Sequence, residues 1–256
     1  MDYAQPIYDA IYLSPHLDDV ALSCGGHIWQ RTMAGQRILV VTVMAGDPPK
    51  EALSTFAQLL HTRWELAADA VAARRAEDIA ACQIMGADWR HGPLPDCIYR
   101  HDGHSGEPLY PDVTAIFAEV HPADEAVCQA LISWLEELPP AREWVVPLTV
   151  GHHVDHQLTR RAAAAAANCP VYYYEDYPYV QKPGALALVL DPAAAWQPVV
   201  IALDQAALQA RFAAVAAFVS QVGSFFVDQA DLERQIGNYA AGVGGERLWQ
   251  QTGATF

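Results

Sequence analysis

Ile38-Leu39-Val40-Val41-Thr42-Val43-Met44 is an uncharged, mostly β-branched run without polar alternation. A strand with one face in water alternates apolar and polar residues; a strand covered on both faces does not. The run therefore predicts a central strand of a parallel sheet held between helices. Upstream, residues 7–13 read as a first strand. Residues 20–34 carry helical periodicity, interrupted at Gly25-Gly26 and stopped by Gly35. Downstream, Ala45-Gly46-Asp47-Pro48-Pro49 turns the chain, and residues 54–85 carry a helical pattern in one or two pieces that ends at Gly86. Residues 89–111, rich in Gly, Pro, His and Asp, read as a long loop with a short strand near Arg90; such a segment in a compact domain is often functional.

Beyond the loop, residues 123–137 predict a helix, 143–148 a strand, 155–168 an alanine-rich helix and 171–174 another strand. Residues 186–190 and 199–203 read as two strands of a late hairpin or cross-connection. Residues 206–222 and 228–239 read as helices, and Gly244-Gly245-Glu246-Arg247 as a turn. The alternation of strand and helix predicts an α/β fold, a mostly parallel sheet flanked by helices on both faces, in a single domain over residues 1–256.

Ligands of such sheets bind outside the carboxyl ends of the strands. Two distinctive segments fall there. Ser14-Pro15-His16-Leu17-Asp18-Asp19 follows the first predicted strand, and His153-Val154-Asp155-His156 follows the strand at 143–148. Each offers metal-ligand types at i, i+3 spacing, which on a starting helix places both side chains on one face. His16, Asp19 and His156 together supply two imidazoles and a carboxylate. A set of three leaves a coordination position open for water, the mark of a catalytic zinc site; ferrous iron accepts the same donors. The chemistry this suits is amide hydrolysis, in which water must be made nucleophilic near neutral pH. Asp18, beside a ligand but pointing elsewhere, is free to act as the base. His153 is free to act as electrophile or acid, with Asp155 to orient and charge it.

Each motif alone has a plainer reading. His-x-x-Asp at a strand end is usually a cap or turn, and Asp155 could be no more than a helix N-cap. Their occurrence together, at two strand ends of one predicted sheet, favours the metal site. His152 reads as a bystander. His27, His61, His91 and His121 read as structural or solvated, and His101 and His104, in the long loop, as weaker candidates for substrate contact.

Charge and composition narrow the function further. Thirty acidic residues against fifteen basic ones give a net charge of −15. That balance argues against nucleic acid and against an anionic membrane surface as partners; a neutral or amine-bearing small molecule suits it better. Five scattered cysteines without a C-x-x-C pair predict neither a disulfide framework nor a cysteine-zinc site. The first six residues lack the basic start and apolar core of a secretory signal, and no run of about 20 uncharged apolar residues occurs. The expectation is a cytoplasmic protein without membrane insertion, compatible with a homo-oligomer.

The motifs carry a resemblance. Pro15-His16-Leu17-Asp18-Asp19, followed by Gly25-Gly26, is similar to the A-H-P-D-D-E signature of the zinc-dependent N-acetylglucosaminyl deacetylases of the PIG-L/LmbE type, and His153-Val154-Asp155-His156 resembles their H-x-D-H. Arg74-Arg75-Ala76-Glu77 with Ile84-Met85-Gly86-Ala87, Tyr174-Glu175-Asp176-Tyr177-Pro178 and Ala217-Phe218-Val219-Ser220-Gln221 resemble further family segments. The resemblance implies a Rossmann-like α/β fold, with His16, Asp19 and His156 as metal ligands, Asp18 as general base, and His153 with its partner Asp155 at the oxyanion or leaving amine. It also implies that Arg74, Asp47 and Asp96 face a small N-acetylated sugar or conjugate. Arg74 otherwise reads as the partner of Asp78 one helical turn away. Leu17 and Val20 replace the signature's Pro and Glu, neither of them a ligand. Some members place Tyr-Gly before H-x-D-H, where this chain has Gly151-His152; a phenol assisting here would come from the cluster between Tyr172 and Tyr179, whose other reading is packing. The activity implied is removal of an acetyl group from an amino sugar. Its rivals are a metallohydrolase of another bond, such as a phosphoester, and a non-catalytic metal- or sugar-binding protein on the same fold.

Overall fold

The computed structural model describes residues 7–49, 53–64 and 70–252. The strands are β1 (Ala10–Ser14), β2 (Ile38–Thr42), β3 (Asp88–His91), β4 (Trp144–Pro147), β5 (Val171–Tyr174), β6 (Ala195–Ile201) and β7 (Glu246–Thr252). They form one sheet in the order β3-β2-β1-β4-β5-β7-β6. The first five lie parallel; β7 runs antiparallel to both β5 and β6. Helices α1 (Asp19–Met33), α2 (Thr55–Arg63), α3 (Ala70–Met85), α4 (Val113–Ile116), α5 (Glu125–Glu136), α6 (Val154–Ala166), α7 (Ala185–Val189), α8 (Gln205–Ala216), α9 (Val219–Val222) and α10 (Gln229–Val243) surround it.

The run that predicted a doubly covered strand is one. Ile38 and Val40 join Tyr12 and Val145 in a core beneath α1, α3 and α8, while Leu39 and Val41 join Ile11, Leu13 and Val146 beneath α5 and α6. Successive side chains feed opposite cores, so neither set can be polar. The fold is thus α/β, with a mostly parallel sheet and helices on both faces. From β1 the chain winds outward through β2 to β3, then returns to the other side of β1 at β4. The crevice at the carboxyl ends of β1 and β4 is the switch point at which doubly wound sheets bind ligands.

Four expectations need correction. Residues 186–190 are not a strand: Leu and Ala are good helix formers, and the segment makes the short α7 after Gly184 at φ 80°. Residues 199–203 do not pair with it; β6 begins earlier, at Ala195, and pairs along its length with β7. Glu246 and Arg247 are not part of a turn but open β7, behind Gly244 and Gly245 at φ 87° and 136°. The helix expected over 206–222 breaks at Ala217-Phe218 into α8 and α9. Residues 65–69, inside the helical pattern of 54–85, and residues 1–6 lie outside the described residues. All five cysteines are buried free thiols, and no helix of the described residues is long and apolar enough to cross a membrane.

The late antiparallel strands are tied to β5 by Glu175, which is buried. Its carboxylate accepts hydrogen bonds from Tyr239, from Arg247 Nε at 2.5 Å and from Trp249 Nε1 at 2.8 Å.

Candidate metal centre

Both motifs leave their strands through turns that aim side chains into the crevice. At the end of β1, Ser14 Oγ donates to the His16 carbonyl (2.6 Å) and accepts from the Val20 amide (3.1 Å), closing a tight turn into α1. At the end of β4, Thr149, Gly151 and His152 adopt φ of 69°, 92° and 67°. Left-handed backbone at non-glycine residues carries strain, which gathers at functional sites. The turn delivers His153 as the N-cap of α6, its Nδ1 accepting from the Asp155 amide at 3.2 Å. Asp155 is therefore not the cap.

The expected ligand atoms converge. Asp19 Oδ2 lies 3.3 Å from His16 Nδ1 and 3.4 Å from His156 Nε2, and the two imidazole centroids are 5.3 Å apart. Donors arranged tetrahedrally around one ion, with bonds near 2 Å, stand ~3.3 Å from each other. His156 Nε2 is buried and makes no hydrogen bond, as a nitrogen awaiting an ion would. His153 also borders the pair, with one nitrogen each from His16, His153 and His156 lying within 4.8 Å of one another. Either Asp19 or His153 can thus complete a set of three with the two imidazoles; the 3.3 and 3.4 Å spacing of the Asp19 oxygen matches that of a tetrahedral set.

Behind each imidazole stands a carboxylate. Asp176 Oδ1 is 2.6 Å from His156 Nδ1, and Asp176 Oδ2 accepts from the Val150 amide at 2.7 Å. This holds one proton on Nδ1, so that Nε2 is the nitrogen left to exchange its proton for an ion, the usual arrangement behind a metal-bound histidine. Asp155 Oδ2 stands 3.0 Å from His16 Nε2 in the same way; it accepts from the Cys97 amide (3.0 Å), and Asp155 Oδ1 from Arg100 Nη2 (2.6 Å). The sequence reading paired Asp155 with His153, but no hydrogen bond joins their side chains among the described residues; the Asp155 carboxylate orients His16 instead.

The electrostatics favour a cation here. Burial opposes a charge on His156, yet the Asp19 carboxylate and the Asp176 hydrogen bond outweigh it and lift the imidazole to about 9. His16 is likewise raised well above the ordinary range: burial opposes, but Asp96, Asp155 and Asp19 prevail. His153 goes the other way; burial, then the neighbouring His16 charge, hold it well below. It is thus not charged by Asp155. As a neutral ring whose Nδ1 accepts from the backbone, His153 carries its proton on Nε2. Burial, and next the Asp19 charge, push Asp18 up to about 7, with Arg74 pulling against them.

The remaining expected residues separate. Asp18, Arg74 and Asp96 line the cleft with His16, Asp19 and His153. Arg74 does not take the plainer course: Asp78 binds Thr42 Oγ1 (3.1 Å) and His91 Nε2 (2.8 Å), while the Arg74 guanidinium lies 4.8 Å over the Trp64 ring and its Nε has no partner. Asp96 Oδ2 is 3.9 Å from His16 Nε2. Asp47 is not in the cleft. Its side chain is 75% exposed and held by Arg75, whose Nη2 pairs with it at 2.7 Å while Nη1 donates to the Ala45 carbonyl. Of the tyrosine cluster, Tyr179 lines the cleft. A Cβ on Gly151 would come within 2.6 Å of the Tyr179 ring, so the glycine is what lets the ring lie there. His152 is a bystander as expected, exposed and paired with Glu119. His101 and His104 do not line the cleft.

Arg100 and Asp176 were not singled out by sequence reasoning. Arg100 lay in the loop marked as functional and Asp176 in a segment with family likeness, but each acts through reach across elements, which spacing does not encode.

Residues 11–167 match the family model described as PIG-L: GlcNAc-PI de-N-acetylase. A 2'-N-acetylparomamine deacetylase of Niallia circulans is 31% identical over 189 residues, covering 67% of this chain and 68% of the relative. The enzyme of the same name from Streptomyces fradiae is 28% identical over 182 residues, covering 69% of this chain and 59% of its own length. The zinc-inhibited form of teicoplanin deacetylase Orf2 superposes with a TM-score of 0.79 at 29% identity, over 96% of this chain and 99% of that one.

Proposed function

Because the chain belongs to the PIG-L family, we propose that it is a metal-dependent hydrolase that removes the acetyl group of an N-acetylated amino sugar or sugar conjugate. The observation that carries the reading is His156: its Nε2 is buried without a hydrogen bond, its Nδ1 is held by Asp176, and it faces Asp19 Oδ2 at 3.4 Å beside His16. His16, Asp19 and His156 would hold a divalent ion, zinc or ferrous iron. Such an ion supplies Lewis acidity toward the amide oxygen and makes water a nucleophile near neutral pH. The chain's own groups do the rest. Asp18, at the cleft floor beside the ligands, takes a proton from the attacking water and is placed to return it to the leaving nitrogen. His153 presents Nε2–H as a neutral donor to the oxygen that gains charge as the carbonyl carbon becomes tetrahedral. Arg74 and Asp96 flank the floor and would orient the sugar. Breaking the C–N bond yields acetate and a primary amine.

Acetate release from a panel of N-acetylated amino sugars tests this. Asp18→Asn is expected to keep its metal by elemental analysis and to lose about 10²–10⁴-fold in kcat; His156→Ala is expected to lose the metal itself. Unchanged turnover in the first variant, or full occupancy in the second, refutes the assignment.

A further inference from the structure

On the face of the sheet that α1 covers, a groove of about 350 Å³ opens between the last two turns of that helix and strands β5, β7 and β6. It is larger than the cleft above the metal ligands, about 150 Å³, and shares no lining residue with it. Pockets that enclose an organic ligand span ~300–1,000 Å³. His27 and Arg31 lie eight and twelve residues beyond Asp19, so the groove stands ~12–18 Å along α1 from the ligand end of the helix. Its floor is apolar. Val199 and Ile201 of β6 point the same way, Leu248 of β7 pairs with Val199, and the Tyr172 ring continues the surface. Its wall is polar and already ordered. Arg31 Nη1 donates to Glu143 Oε1 (2.5 Å) and to Tyr12 Oη (3.3 Å), and Arg31 Nε donates to Gln36 Oε1 (2.5 Å). The buried Tyr12 hydroxyl is left to donate its own proton to His27 Nδ1, at 3.0 Å. Burial, and next the Arg31 charge, hold His27 down to about 3, so the ring is neutral and carries its proton on Nε2.

Each of these wall residues keeps one group for a guest. His27 Nε2–H has no acceptor among the described residues, Gln36 has its oxygen engaged and presents its NH2, and Glu143 retains Oε2. The Arg31 guanidinium and the Glu143 carboxylate neutralise one another, so a charged guest would be stripped of water without gaining a counter-ion. We infer that this groove is a separate ligand site, for a flat uncharged ring whose edge carries a carbonyl oxygen beside an N–H, the lactam edge of a heteroaromatic molecule. The carbonyl accepts from His27 and Gln36, the N–H donates to Glu143, and one ring face lies on the aliphatic floor. Neither the metal nor the acetamide of the proposed reaction enters into this assignment.

The probe is 2-quinolone, two fused rings with such an edge; its control is 2-naphthoate, of similar size but anionic. NMR of isotope-labelled histidine side chains reports on His27 Nε2 directly. The wild-type protein is expected to bind 2-quinolone with a Kd of about 1 mM or tighter, as a fragment of that size allows. It is expected to bind 2-naphthoate at least about tenfold more weakly. Glu143→Gln, which leaves Arg31 without its counter-ion, is expected to reverse the order of the two probes. Gln36→Ala, at an exposed position, is expected to weaken 2-quinolone by about threefold to tenfold. The site is overturned by the absence of a saturable His27 shift up to the solubility of 2-quinolone, or by shifts confined to His16, His153 and His156. Equal or tighter binding of 2-naphthoate by the wild type, or unchanged affinities in both variants, overturns it equally. Should Glu143→Gln not fold, the Gln36→Ala comparison decides.

Discussion

Asp176 shows how much of the centre is set by residues that never meet an ion. Its carboxylate decides which nitrogen of His156 carries the proton, and so which is free to ligate. Asp176→Asn retains the shape but can present an amide N–H to Nδ1, which moves the proton to Nε2 and blocks the ligand. Metal affinity, measured by competition with a chromophoric chelator, is expected to fall about 10–100-fold; affinity within twofold of wild type would show that the tautomer is set elsewhere. The clustering of His16, Asp19 and His156 could be anticipated because the two short segments that carry them each follow a strand of the same sheet. Asp47 misled because position along the chain says nothing about side-chain direction: its carboxylate is exposed and paired with Arg75. Asp155 misled in another way: its near neighbour in sequence is His153, but the group it binds is His16, 139 residues away.

At the scale of elements, α1 shows what Gly25-Gly26 is for. Arg211 of α8 and Glu246 of β7, both fully buried, meet at 3.4 Å where a larger side chain would stand. Arg211 Nη2 donates to the Leu22 carbonyl, and Glu246 accepts from the amides of Gly26 (3.0 Å) and His27 (2.8 Å). Two late elements thereby clasp the middle of the first helix. Removing one partner strands a buried charge, so Glu246→Ala is expected to cost about 3–5 kcal/mol, whereas the double change Arg211→Met with Glu246→Leu should cost less than the single one. Chemical denaturation of the three proteins checks this, and a single-variant loss below about 1 kcal/mol would contradict it. The inner parallel strands β1, β2 and β4 could be read from the sequence since doubly buried strands are continuously apolar. β7 could not: Glu246-Arg247-Leu248-Trp249-Gln250-Gln251-Thr252 is mostly polar, and its burial depends on ion pairs and hydrogen bonds to distant residues.

Over the whole molecule, the centre joins segments that follow β1 and β4, some 140 residues apart in sequence but neighbours in the sheet. An ion held by His16, Asp19 and His156 binds the folded chain and not the unfolded one, so it should stabilise the fold by mass action. Zinc at about 100 times its Kd is worth about 2.7 kcal/mol, or roughly 5–10 °C in Tm for a chain of this size. Calorimetry in zinc and in excess chelator should show that shift, and His156→Ala should abolish it; the same shift in that variant would place the ion elsewhere. The topology also explains why a reading of local pattern reached the centre but not its surroundings: the parallel half of the sheet is built from regular repeats of strand and helix, the closing third from irregular long-range contacts. Glu175 and Asp176 join the two. One carboxylate anchors the closing strands and the very next braces His156. With a single peptide unit between anchor and brace, fraying at the carboxyl-terminal edge of the sheet would loosen the hold on His156 long before the chain unfolds.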